Sequence, residues 1–138
     1  MNFLDIQLQL SKLEKAAVTR ICCSNKHALA VTNTGSVFAW GENDNMQLGY
    51  ATPKKNSQGL TFESKPRRLE CLAKEFIIDA ACGDNQSLVL TNSKQVFLWG
   101  SNKHCQLGFD PESHLQVSAP KQLIIQEYMN SAVREVFS

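Results

Sequence analysis

Val37-Phe38-Ala39-Trp40-Gly41-Glu42-Asn43-Asp44-Asn45-Met46-Gln47-Leu48-Gly49 has a second copy further along the chain. That copy is Val96-Phe97-Leu98-Trp99-Gly100-Ser101-Asn102-Lys103-His104-Cys105-Gln106-Leu107-Gly108. Both read V-F-x-W-G-x-N-x-x-x-Q-L-G, and the offset, Trp to Trp, is 99 − 40 = 59 residues. Self-similarity at a fixed spacing is the mark of a repeat architecture, in which one unit buries its apolar surface against the next.

Upstream of the motif the register holds without a gap from about Val18. Cys82 falls on Cys23, Leu88 on Leu29, Leu90 on Val31, Thr91 on Thr32 and Asn92 on Asn33. The residues predict three short strands per copy. In the first copy Val18–Cys23 is followed by a Ser24-Asn25-Lys26 turn. His27–Thr32 is nearly all apolar, as a strand buried on both faces would be. Asn33-Thr34-Gly35-Ser36 is a hairpin turn in which Gly35 supplies a positive φ. Val37–Trp40 is the third strand, ended by Gly41. In the second copy Lys94 takes the place of Gly35.

Downstream the copies diverge. From Gly49 to Pro66 the chain takes 66 − 49 = 17 steps, and from Gly108 to Pro120 it takes 120 − 108 = 12. Both then read Pro-basic-x-Leu, as Pro66-Arg67-Arg68-Leu69 and Pro120-Lys121-Gln122-Leu123. Proline suits an edge strand, where its missing N–H faces solvent, so a fourth, outer strand is expected in each unit. Leu10–Val18 resembles Leu69–Ile77, and residues 1–17 therefore read as the tail of a preceding unit. Leu4, Ile6, Leu8 and Leu10 alternate with polar residues as in a strand; an N-terminal helix is the rival reading. The units run 18–76 and 77–132. Val133-Arg134-Glu135-Val136-Phe137-Ser138 repeats the pattern of Val18–Cys23, and 133–138 reads as the start of a third.

Four short strands, tight turns and a fixed period predict an all-β fold of four-stranded antiparallel β-propeller blades. Trp40 and Trp99 are the expected wedges between blades, each able to bury on the order of 150–250 Å². Gly41 and Gly100 mark turns or close backbone approach. Gln47 and Gln106 offer an amide that can tie loop backbone to a neighbour. Leu48 and Leu107 would plug the core beneath, and Gly49 and Gly108 permit the exit turn. Trp-Asp, the mark of WD-repeat blades, is absent, as is the Gly-Gly pair of kelch blades.

The segments Cys23–Thr32, Val37–Asn43 and Gln47–Gly49, with Cys82–Thr91, Trp99–Asn102 and Gln106–Gly108, resemble the repeat of the regulator of chromosome condensation family. The resemblance covers nearly the whole chain. It implies a seven-bladed propeller of four-stranded blades. The sequence departs from the family pattern where Met46 and Cys105 replace a glycine before Q-L-G. It departs again in the Cys22-Cys23-Ser24 and Ala81-Cys82-Gly83 turns, and at Gln86, which stands where His27 carries the usual histidine. Two full units cannot close a ring of seven. The chain is expected to be a fragment or short isoform forming an incomplete propeller, with open apolar faces and marginal stability by itself.

The bulk numbers agree with a globular domain. Of 138 residues, 43% are hydrophobic and 20% charged, and the formal net charge of +1 gives no global pull towards nucleic acid or membrane. No apolar run approaches the ~20 residues of a spanning helix. The N-terminus lacks the layout of a signal peptide, and a cytoplasmic or nuclear setting is expected. Five cysteines, Cys22, Cys23, Cys71, Cys82 and Cys105, form no C-x-x-C pair; they read as small buried hydrophobes rather than a disulfide or zinc framework.

No residues assemble into a catalytic, cofactor-binding or metal-binding pattern. His27 reads as a hydrogen-bonded blade residue. Lys54, Lys55, Lys65, Arg67 and Arg68 are a basic run in the longer connection. They suit a solvated loop or, alternatively, docking to an acidic partner or DNA backbone. The function expected is a non-catalytic protein-interaction module. The resemblance implies an alternative, nucleotide exchange on a small GTPase, and a third reading is a targeting arm of a larger ubiquitin ligase or kinase. The partner expected is a protein; nucleic acid or chromatin is a minor alternative, and no membrane is expected.

Overall fold

A computed structural model describes residues 7–8, 16–50, 58–59, 61–101 and 116–123. Among the described residues eight strands run in chain order: β1 Val18–Cys23, β2 His27–Thr32, β3 Val37–Glu42, β4 Phe62–Arg68, β5 Ile77–Cys82, β6 Gln86–Thr91, β7 Val96–Ser101 and β8 Gln116–Leu123. They form two four-stranded sheets, β1-β2-β3-β4 and β5-β6-β7-β8, each with every neighbour antiparallel. One 3-10 turn, Glu70–Leu72, lies between the sheets in sequence. Pro66 and Pro120 sit in the outer strands β4 and β8. An edge strand tolerates the lost donor.

The pairing repeats position for position. His27 faces Gly41 and Gln86 faces Gly100; Leu29 faces Ala39 and Leu88 faces Leu98. The third strands do not end at the glycine. They run on to Glu42 and Ser101, with a register shift at Ala39/Gly41 and at Leu98/Gly100. Gly41 has φ 114° and Gly100 φ 109°, so each makes a bulge rather than a stop. A Cβ on Gly41 would stand 2.5 Å from the Lys26 carbonyl oxygen, and on Gly100 2.4 Å from that of Asn85. The same two carbonyls accept the next amides, Glu42 N–H and Ser101 N–H, each at 2.8 Å. Only glycine fits this crossing of backbone on backbone.

The sheets stack face to face. Leu29, Val31, Val37 and Ala39 of the first share one buried core with Val89 and Trp99 of the second, together with Leu48, Leu69, Leu72 and Ile77. Trp99 is the wedge in this seam. Trp40 belongs to a separate buried cluster with Val18, Ala30 and Phe38. Alternation along β2 and β3 turns that cluster away from the second sheet. The expected bare outer face is not seen there: Phe38 is 1% exposed and Trp40 9%, with Ile21 and Ala28 packed against them. Among the described residues the large exposed apolar side chains are Leu8, Phe76 and Ile78.

Of the 1–17 segment, Gln7 and Leu8 have helical geometry and Ala16 and Ala17 are irregular. The Gln7 amide is bound at both ends: its Nε2–H donates to the Ala16 carbonyl at 3.1 Å, and its Oε1 accepts Val18 N–H at 2.8 Å. The remaining residues of that segment, those beyond Leu123, and the whole 133–138 stretch lie outside the described residues.

Candidate functional site

Three loops meet at one end of the two sheets: Ser24–Lys26 between β1 and β2, Asn43–Tyr50 after β3, and Gly83–Asn85 between β5 and β6. The antiparallel order places them there, because each leaves or enters the same end of its sheet.

Asn43 organises the middle loop from a site 2% exposed. Its Nδ2–H donates to the Tyr50 carbonyl at 2.7 Å and its Oδ1 accepts Leu48 N–H at 3.0 Å. The loop is thereby closed on itself. Met46 takes φ 58° there, a left-handed conformation that glycine adopts without cost; this is the physical meaning of the glycine missing before Q-L-G. Gln47 Oε1 accepts Asn45 N–H at 2.9 Å, inside its own loop. The link to the neighbouring sheet is made by the Gln47 carbonyl instead. It accepts the Trp99 indole N–H at 2.8 Å and the Ser87 hydroxyl at 2.7 Å. Gly49 lies against the same indole: a Cβ on it would stand 3.0 Å from Trp99 Nε1. Leu48 is fully buried. Gln106, Leu107 and Gly108 lie outside the described residues.

His27 extends this network through the seam. Its Nε2 is 2.6 Å from Ser87 Oγ and its Nδ1 3.2 Å from Ser24 Oγ. Ser87 spends its hydroxyl proton on the Gln47 carbonyl, so it must accept from His27. Nε2 therefore carries the proton of a neutral imidazole, and Nδ1 accepts from Ser24. Burial holds the His27 pKa down at about 4, against a smaller opposing pull from Asp84. The histidine is a fixed, uncharged connector.

At the surface of the same end, Asn85 Oδ1 accepts from Lys26 Nζ at 3.0 Å and from Asn45 Nδ2 at 3.1 Å. One amide oxygen thus joins all three loops across the seam. Asp84 is exposed beside it, and Asp44 Oδ1 accepts both the amide and the hydroxyl of Thr61 at 2.9 Å. The surface is polar, carries both signs of charge and is held in place. Among the described residues no group of three His, Cys, Asp or Glu side chains could hold a metal ion.

Of the basic run, three residues lie among the described residues, all on β4. Lys65 and Arg67 are exposed on β4 and Arg68 is half-buried, while Lys54 and Lys55 lie outside the described residues. Arg67 stacks over the Tyr50 ring, 4.7 Å from its centroid, and Tyr50 donates its hydroxyl to the Ala39 carbonyl at 2.6 Å. Burial, with Glu63 adding and Arg67 opposing, pushes the Tyr50 phenol well above its ordinary range. Arg67 thus packs against the loop at Tyr50.

Sequence reasoning missed Asn43, Ser87 and Asn85. Asn43 is part of the repeated motif, and the motif's second copy, with Asn102 at the same place, was the signal for it. Ser87 and Asn85 act across the seam on partners 40 to 60 residues away, and nothing in their local sequence announces that.

Comparison with known proteins agrees with this geometry. The family model described as the regulator of chromosome condensation (RCC1) repeat matches residues 34–90, and a second with the same description matches residues 18–47. The chain is 38% identical over 109 residues to the human probable E3 ubiquitin-protein ligase HERC6, covering 79% of this chain and 10% of that protein. It is 37% identical over 98 residues to human protein RCC2, covering 71% of this chain and 17% of that one. Among solved structures, human WBSCR16 superposes with a TM-score of 0.67 at 25% identity, over 80% of this chain and 26% of that one. Yeast RCC1 (Prp20), solved bound to Kap60, gives a TM-score of 0.72 at 16% identity, over 83% of this chain and 26% of that one. The chain thus spans a small part of these relatives, and two stacked blades are an incomplete propeller. On its duplicated Trp-Gly and Gln-Leu-Gly motifs, its paired sheets and these matches, the chain belongs to the regulator of chromosome condensation (RCC1) repeat family.

Proposed function

We propose that this chain is a non-catalytic protein-interaction module, a section of a larger propeller working in a cytoplasmic or nuclear setting. The observation that carries this is the division of labour within the repeat. The motif residues common to both copies, Trp99, Gln47, Leu48 and Gly49, are consumed in stacking one blade on the next. The residues that differ between copies, among them Lys26, Asn45 and Asp84, line the loop end. There Lys26 and Asn45 are fixed by cross-blade hydrogen bonds to Asn85. Rigid, varied loops on a repeated scaffold are what recognition of a protein surface uses. The units proposed are 18–76 and 77–132.

The test is loss of partners by loop substitution. Lys26→Ala/Asp84→Ala/Asn85→Ala in the full-length protein should remove captured partners while the melting temperature stays within a few degrees. Retention of every partner would refute the reading.

A second reading is regulation of a small GTPase. The structure of yeast Prp20p was reported with its binding to Gsp1p and histones, and at 16% identity that likeness supports the fold alone. Nucleotide release from small GTPases, with and without the full-length protein, separates the two readings: acceleration supports exchange and its absence leaves the interaction module. HERC6 and HERC2, both named as ubiquitin ligases, favour a third form of the first reading, in which the blades are the targeting arm of a larger enzyme.

A further inference from the structure

The two sheets are joined at the inner edge by a contact that the repeat motif does not explain. Cys22 on β1 and Cys82 on β5 bring their sulfurs to 2.9 Å across the seam. Neither is at its partner's repeat position, because at an offset of 59 Cys82 corresponds to Cys23 and Cys22 to Ala81. The pairing works because the positions face opposite ways. Cys22 lies opposite Leu29 on the face towards the second sheet, and Cys82 lies opposite Ser87 on the face towards the first. Both thiols are half-buried, while Cys23 and Cys71 are exposed. Leu29 and Ser87 are held by the core and by the His27 link respectively, which keeps the two cysteine positions opposed across the seam.

We infer that Cys22 and Cys82 form a reversible oxidation site, closing to an inter-blade disulfide when the chain meets a peroxide. A disulfide needs its sulfurs at about 2.05 Å, so the gap to close is under about 1 Å. The Cys82 thiol is held protonated, chiefly by its hydrogen bond with Cys22 and then by burial. Cys82 stands beside Cys22 as the resolving thiol, and Cys22 is the sulfur taken to react first. Its thiolate attacks one oxygen of hydrogen peroxide, breaking the O–O bond; sulfenic acid forms and the departing hydroxide takes the thiol's proton to leave as water. Cys82 then attacks the sulfenic sulfur, and its proton leaves with the hydroxyl as a second water. Two thiols and one peroxide give one disulfide and two waters, the two electrons passing from the sulfurs to peroxide oxygen. Excess reduced glutathione reverses the bond by thiol exchange. In a reducing compartment such a bond is transient and acts as a sensor rather than a permanent staple. Its consequence is to lock the first blade to the second below the loop end.

Peptide mapping of the 138-residue chain tests this. After one equivalent of hydrogen peroxide and blocking of residual thiols, trypsin should yield Ile21–Lys26 linked to Glu75–Lys94, with a loss of 2 Da. The Cys23→Ser variant should keep the link and Cys22→Ser should abolish it. The oxidised chain should melt about 10 °C higher, since the bond closes a long loop, and reduced glutathione should reverse the shift. Linkage through Cys23 or Cys71, linkage between chains, or no linked peptide while those exposed cysteines oxidise would overturn the proposal. The wild-type and Cys23→Ser maps decide it even if Cys22→Ser fails to fold.

Discussion

Acidification should loosen the seam through His27. The imidazole is neutral between two hydroxyls, and burial holds its pKa at about 4 against an ordinary 6.5. A proton on Nδ1 would have to be donated to Ser24 Oγ. That oxygen already accepts Lys26 N–H and His27 N–H, both at 3.2 Å, so its two lone pairs are spent. The sign follows from linkage. Between about pH 4 and 6.5 the unfolded chain binds this proton and the folded chain does not, so stability falls as pH falls across that window. Above pH 6.5 the contribution is intact. The full loss amounts to roughly 3 kcal/mol, with a steepest slope of about 1.4 kcal/mol per pH unit. Urea titrations at intervals from pH 7.5 to 4, run beside His27→Gln, isolate the term, because glutamine does not titrate and other groups cancel in the difference. A wild-type curve parallel to that of H27Q would refute the reasoning.

Trp99→Phe should cost about 2–3 kcal/mol in urea unfolding. The lost indole hydrogen bond is worth about 1, since Ser87 keeps the Gln47 carbonyl paired, and the void adds the rest. Trp40→Phe, outside the seam, should cost about 1–2 kcal/mol by the same packing scale. Lys94 and Met46 sit at φ 66° and 58°, so Lys94→Gly and Met46→Gly should each stabilise by about 0.5–1 kcal/mol, the strain relieved exceeding the added freedom of the unfolded chain; destabilisation in thermal melts would contradict the left-handed geometry. Lys54→Ala/Lys55→Ala/Arg67→Ala/Arg68→Ala should leave binding to DNA at low salt unchanged from a weak wild-type level, and a large salt-dependent loss would revive a nucleic-acid role.

The fold was legible because a repeat states its own register. Val18–Cys23, His27–Thr32 and the proline-bearing outer strands were readable from apolar runs, turn residues, the repeated proline and the 59-residue offset. Gly41 was misread as a strand end because a glycine after a strand fits a stop and a bulge equally; the carbonyl of Lys26 decides it. Gln47 was expected to work through its amide, the chemically conspicuous group, yet its carbonyl makes the cross-blade link. Such backbone roles leave no side-chain signature. The pairings of His27 with Ser87 and Cys22 with Cys82 were illegible for a different reason. They depend on which face each residue presents to a second sheet, and a local pattern gives alternation without giving the stacking.

The repeated Trp-Gly and Gln-Leu-Gly motifs act as one interlock between blades. Proton NMR of the 138-residue chain measures this directly through the indole N–H of Trp99. It should exchange slowly with solvent deuterium and show nuclear Overhauser contacts to Leu48 and Gly49. A rapidly exchanging indole proton without those contacts would contradict the account.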